Sequence, residues 1–287
     1  MDAVLIILAL CSAVFVALAL VLTQFGLRTL TPLTGASISV PTTAVMFAAI
    51  SPVSVDVAHW HGRSVLLFAF AGAFFPVTVT LLTFASNRHL GPTITGALGN
   101  LTPLFAVGLA VVLVGETPAW LQIVGILCVV LGAFTLYIGR SPVLVSVGTW
   151  AFALPIGAAL LRGLVQPVVK LGLETWPNPF AAVTIGYLVS AVILLAIRFF
   201  LREEVRRIDL GGTLWFAAVG VCNGAANLTM YAALTRGPVT AVAPLVATYP
   251  LAILLLDRML RRDSAPNRAT LVGVLVIVAG VALLLGQ

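Results

Sequence analysis

Apolar residues in this chain run in long blocks rather than recurring on one helical face. Ten blocks stand out, at 3–23, 31–52, 64–86, 91–115, 119–139, 149–171, 178–201, 211–234, 238–259 and 268–286. Each is near the ~20 residues an α-helix needs to cross a bilayer. A helix that is apolar all round is a buried or membrane helix. The pattern therefore predicts an all-α integral membrane protein with ten transmembrane helices, here called spans 1–10. The connections are short, and only 198–209 (RFFLREEVRRID) and 257–269 (DRMLRRDSAPNRA) are markedly polar. In GETPAW (115–120), Thr117 reads as the N-cap of span 5 and Pro118 as its first turn. The first block has no basic leader and is too long for a signal-peptide core, so it reads as span 1.

Composition sharpens this picture. Hydrophobic residues make up 61% of the chain, charged residues 8%, and mean hydropathy is +1.17. A soluble domain carries roughly 25% charged residues; this chain cannot cover a water-facing surface and belongs among membrane lipids. The net charge of +6 does not point to nucleic acid, because the basic residues are scattered between apolar blocks with no basic, aromatic-interleaved face. Connections after odd-numbered spans hold 11 Arg, and those after even-numbered spans hold three basic residues: Arg63, Lys170 and Arg236. Basic loops stay cytoplasmic, which predicts a multi-pass protein of the cell (inner) membrane with both termini outside. Cys11, Cys128 and Cys222 lie inside apolar blocks with no metal or disulfide spacing. His59, His61 and His89 fall in connections, with no acidic partner in a spanning segment. No metal site, cofactor or nucleotide-binding loop is expected.

The chain repeats itself. Gly26-Leu27 matches Gly172-Leu173 and Gly91-Pro92 matches Gly237-Pro238, both 146 positions apart. Thr31-Pro32 matches Asn178-Pro179 at 147, and Gly125 and Gly132 match Gly273 and Gly280 at 148. Residues 1–140 and 141–287 are thus read as two copies of one five-helix unit. A unit that crosses five times ends on the side opposite its start, so the second copy inserts upside down. Inverted repeats of this kind build transporters that hold their substrate near the midplane between the copies.

The stretch GPTITGALGNLTPLFAVGLAVVLVGETPAWLQIVGILCVVLGAFTLYIG (91–139) resembles the end of an EamA-type repeat of the drug/metabolite transporter superfamily. The resemblance is carried by Pro103, Gly115-Glu116 and the glycine pair Gly125 and Gly132. The second copy keeps Pro250, Gly273 and Gly280, with RRD (261–263) in place of the Gly-Glu. The resemblance implies a carrier for small organic solutes, often an exporter and sometimes of amino acids. It implies a cavity lined by spans 1–4 and 6–9, with spans 5 and 10 at the periphery.

Polar side chains within the spans are the informative signal, since each helix already satisfies its own peptide groups. Span 8 carries Asn223, Asn227 and Tyr231 at i, i+4 and i+8. Span 4 offers Asn100, span 9 Tyr249, span 7 Tyr187, span 3 Thr78 and Thr80, and span 2 Ser39. Such groups either bond neighbouring helices or line a cavity. Arg162 is a charge deep within span 6; a mid-bilayer arginine costs at least ~2.5–3.5 kcal/mol, so it should face protein or water, where it suits a substrate carboxylate. Pro76, Pro103, Pro244 and Pro250 bend their spans and are candidate hinges. The seven-residue glycine pairs favour close helix packing, within the bundle or between protomers of a homodimer. The expectation is a secondary carrier for a small-molecule substrate, most plainly an amino-acid exporter, and not an enzyme. The rivals are another cargo (drug, nucleobase or sugar) and an intramembrane enzyme.

Overall fold

The computed structural model describes residues 2–55, 60–138, 149–201, 209–261 and 268–285. The boundary drawn at 140/141 and most of the basic connections lie outside these residues. The described chain is helical, with no strand among the described residues: α1 (Ala3–Gly26), α2 (Pro32–Ser54), α3 (Gly62–Phe74), α4 (Val77–Gly99), α5 (Thr102–Leu113), α6 (Trp120–Ile138), α7 (Ala153–Thr175), α8 (Pro179–Leu201), α9 (Leu210–Leu234), α10 (Val239–Val246), α11 (Tyr249–Arg261) and α12 (Arg268–Leu285). Seven helical stretches are long and apolar enough to cross a membrane, and Trp120–Thr135 and Leu271–Leu284 are shorter apolar ones. The 25-residue α9 completes the set of ten; it is diluted by Asn223 and Asn227.

Local chemistry starts these helices where the sequence pattern asks. Thr31 caps α2 by accepting from Thr34 N at 3.3 Å, and Asn178 caps α8 by accepting from Ala181 N at 2.9 Å, each followed by proline at the first helical position. Span 5 departs from expectation. Its helix α6 begins at Trp120, and Gln122 Oε1 reaches back to Ala119 N at 3.0 Å, so Thr117 and Pro118 precede the helix. Gly115, at φ 79°, turns the chain out of α5, a conformation that favours glycine.

Spans 3, 4 and 9 are each made of two pieces. Span 3 is α3 plus the first arm of α4, divided at the cis Phe75–Pro76 bond. The α4 backbone is helical from Val77 to Gly99, yet Ser86 Oγ and Thr95 Oγ1 lie 2.6 Å apart. Nine residues of straight helix would hold them ~13 Å apart, so α4 folds back on itself where a connection between spans 3 and 4 is expected. Its second arm and α5 form span 4, interrupted at Asn100-Leu101; α10 and α11 form span 9, interrupted at Ala247-Thr248. Pro103 and Pro250 are each the second residue of the piece after the break, and the residues at the breaks keep a right-handed backbone with turn bonds such as Leu101 N to Leu98 O and Thr248 N to Leu245 O, so each span bends at its proline.

The two copies clasp each other through contacts that occur in matched pairs. Helix α1 packs on α9 as α7 packs on α3 and α4, and α2 packs on α9 as α8 packs on α3. Thr43 Oγ1 donates to Gly220 O at 2.6 Å; Ser190 Oγ, 147 positions beyond Thr43, donates to Gly72 O, 148 positions before Gly220. A Cβ on Gly26 would lie 2.7 Å from the Phe216 ring, and one on Gly172 would strike Phe68. In lipid there is little hydrophobic drive between helices, so such small-residue approaches carry the packing.

Direction follows from α6 and α12, the equivalent last helices of the copies. A Cβ on Gly125 would come within 2.9 Å of Gly280 O, and one on Gly132 within 2.8 Å of Gly273 O. The first glycine of one helix meets the second of the other, so the helices are antiparallel and the copies are inverted. These glycines are committed within the chain, not to a homodimer.

Candidate functional site

A central cavity opens between the two copies. About 140 Å³ of it is accessible to water-sized molecules. A single water needs at least roughly 10–15 Å³ of such space, so the cavity has room for several waters or a small organic solute. Its walls come from α1, α2, α4, α5 and α7–α11 and from the Phe75-Pro76 turn; α6 and α12 contribute no lining residue. That matches a cavity built by spans 1–4 and 6–9.

Of the residues singled out from sequence, Asn100, Arg162, Asn223, Asn227, Tyr187, Tyr249, Ser39, Pro76 and Pro103 line the cavity. Tyr231 and Thr78 do not. Tyr231 borders a small crevice behind Tyr187, and Thr78 Oγ1 donates to Ala73 O at 3.4 Å. Helix geometry explains both. Each residue advances about 100°, so Tyr231, eight positions from Asn223, has rotated about 80° off the stripe; Met230, seven positions on, lines the cavity instead. On α4 the lining runs Pro76, Val79, Thr80, Thr83, Phe84, the i, i+3, i+4, i+7 spacing of one face, and Thr78 points elsewhere. Pro244 lies inside α10 and Pro250 near the start of α11, both buried outside the lining.

The polar groups are held in place. Asn227 Nδ2 donates to Tyr187 Oη at 2.9 Å and to Asn223 O at 2.8 Å. Both amide hydrogens are thereby used, which leaves Asn227 Oδ1 to meet a solute. Arg162 is the one charged residue in the lining among the described residues, and no Asp or Glu faces the cavity there. Gln166, one turn beyond Arg162 on α7, also lines it and is only 3% exposed. Sequence reading passed Gln166 over, although Arg162, Gln166 and Lys170 repeat at i, i+4 and i+8, the spacing that drew attention to Asn223. Lys170 Nζ instead donates to Leu234 O at 2.9 Å and Gly237 O at 3.1 Å, tying α7 to the end of α9.

Glu116, the acid of the Gly-Glu pair, lies away from the cavity. Its two carboxylate oxygens accept from Val239 N at 2.7 Å and Thr240 N at 2.8 Å, covering the N-terminus of α10, which has no cap of its own. A residue of the first copy thus closes a half-helix of the second. The corresponding stretch of the second copy, at 262–263, lies outside the described residues.

The EamA-like transporter family model matches residues 3–138 and again 149–286. The chain belongs to the EamA-like transporter family. As an EamA-like protein it is a multi-pass membrane transporter of small substrates. Among solved structures, one crystal structure shares this EamA-like fold with a TM-score of 0.78 at 17% sequence identity, covering 99% of this chain and 96% of the other. No curated protein matches the chain in sequence.

Proposed function

We propose that this chain moves amino acids, or small zwitterions like them, outward across a cell inner membrane by alternating access, as a carrier and not as an enzyme. The observation that supports the cargo is Arg162 facing an otherwise uncharged cavity beside the amides of Asn100, Asn223, Asn227 and Gln166. Guanidinium pairs with a carboxylate through two parallel hydrogen bonds, while amide oxygens suit an ammonium group. A single cation suits one carboxylate; a sugar phosphate would call for several. The pieces α5 and α11 begin at the cavity wall, with Thr102 and Tyr249, and half-helix N-termini of this kind favour anionic substrate groups.

The motion we assign is bending at the paired breaks before Pro103 and Pro250 and at Pro76, with Pro244 loosening α10 by removing a backbone donor. The excess of basic residues in the connections after odd-numbered spans supports a topology with both termini outside. Purified protein in liposomes tests the cargo: saturable counterflow of labelled amino acids is the expected result. Counterflow of a lipophilic drug, nucleobase or sugar with no amino acid moved would replace this cargo by that one, and chelator-sensitive turnover of a lipid-linked substrate would replace the carrier by an enzyme.

A further inference from the structure

Three polar atoms beside the cavity have no hydrogen-bond partner: Asn100 Nδ2, Asn100 Oδ1 and Gln166 Oε1. Asn100 is wholly buried, Gln166 is 3% exposed, and both residues belong to the cavity wall. Buried amides without partners are costly and rare, and each asks what satisfies it. Their placement is informative. Asn100 caps the second arm of α4, at the bend in span 4 just before Pro103. Gln166 stands one turn from Arg162 on α7. Asn100 belongs to the first copy and Gln166 to the second, so one ligand meeting both would bridge the copies at a point of bending.

We propose that Asn100 and Gln166 read the ammonium group of the substrate while Arg162 takes its carboxylate. The assignment rests on the amino-acid reading above and names the groups that enforce it. An ammonium presents three N–H donors, and Asn100 Oδ1, Gln166 Oε1 and Asn227 Oδ1 are three acceptors around one cavity. A hydroxyl has one donor and leaves two of them unmet. Asn100 Nδ2 donates to the carboxylate beside Arg162. With the zwitterion in place all three of these atoms are satisfied. A polar site that loses its matching group discriminates strongly, because its own buried atoms are then left unpaired.

The test uses the full-length protein in nanodiscs, with ligand binding read by calorimetry and by thermal shift. The probes are the standard amino acids and their N-acetyl derivatives, which keep the carboxylate and lose the ammonium. The wild type should bind a preferred amino acid at least ~10-fold more tightly than its N-acetyl form, the loss expected for one charge-assisted hydrogen bond. In Asn100→Leu and Gln166→Leu that ratio should fall clearly below the wild-type value, with a ligand-free melting temperature equal to or above that of the wild type, since each substitution removes a dry amide. Gln166→Glu, close in shape and carrying a charge that attracts ammonium, should raise the ratio, so the proposal stays testable even if a leucine variant fails to fold. Wild-type discrimination that persists undiminished in all three variants would overturn the assignment while leaving the amino-acid reading intact. Failure of the wild type to bind any amino acid, with a drug, nucleobase or sugar bound instead, would overturn both.

Discussion

The two copies use the same positions to face the cavity and fill them differently. Val16 and Leu20 on α1 stand where Arg162 and Gln166 stand on α7, 146 positions later, and all four line the cavity. Asn100 answers to Ala247, 147 positions later, and both line the cavity. Outside the cavity the copies agree closely. The Thr43–Gly220 bond has its mate in Ser190–Gly72, and the Gly26–Phe216 contact has its mate in Gly172–Phe68. The repeat is kept where helices must approach and abandoned where a solute would be held. An amino acid has two unlike ends, and a wall that was itself symmetric could not tell them apart.

That contrast can be broken from either side. The largest effect should come from its symmetric part. A Cβ on Gly220 would lie 2.5 Å from Ser39 O, and one on its mate Gly72 would lie 2.6 Å from Gly186 O. Overpacking costs about 1–3 kcal/mol or more, and backbone cannot move aside as a side chain can. Gly220→Val and Gly72→Val should therefore both lose most of their monodisperse, detergent-extracted protein, to a similar degree; a loss confined to one copy would show that the pairing is not structural. The asymmetric part comes next. Arg162→Leu should weaken amino-acid binding by ~10–100-fold, the range for a hydrogen bond to a charged group, while Val16→Leu at the equivalent position changes it little, as read by calorimetry. Equal effects at the two positions would refute the chemical asymmetry. Glu116→Ala should then lower stability by about 1 kcal/mol, the value of a helix N-cap, with Glu116→Gln intermediate, measured by thermal unfolding in nanodiscs. The smallest effect is expected at Asp209, which caps α9. Its carboxyl is held below the ordinary aspartate value by the Gly212 backbone N–H, with Thr29 adding to this. A lowered folded-state value means that its contribution is present above the unfolded pKa and is lost as pH falls through the folded one. The melting temperature should dip slightly below pH 3.8, and Asp209→Asn should remove that dip.

Much of this architecture was written in the chain. Hydropathy located the spans because lipid demands uninterrupted apolar length, and the recurring Gly-Pro and Gly-Gly spacings located the copies because close helix approaches tolerate few residue types. The two-piece build of spans 3, 4 and 9 was less visible. Proline marked the places, but how far a helix is interrupted at its proline is set by the packing around it and is not written in the local sequence. Asn100, Arg162, Asn223 and Asn227 could be picked as polar outliers in apolar surroundings. Tyr231 was misplaced because four-residue steps drift around a helix, and two such steps leave the stripe. Gln166 went unseen beside the louder charge of Arg162. The role of Glu116 could not be read at all, since it depends on the end of a half-helix more than a hundred residues away.

The antiparallel seam of α6 and α12 has a geometric consequence. Equivalent helices also meet at α2 and α8. An exchange axis relating the copies must pass through both meetings and across the cavity between them. Any rearrangement that gives each copy the other's shape turns about that line. Points near it stay put while points far from it travel, so a covalent staple set beside the axis should be tolerated by a working protein, whereas a staple far from the axis should stall it.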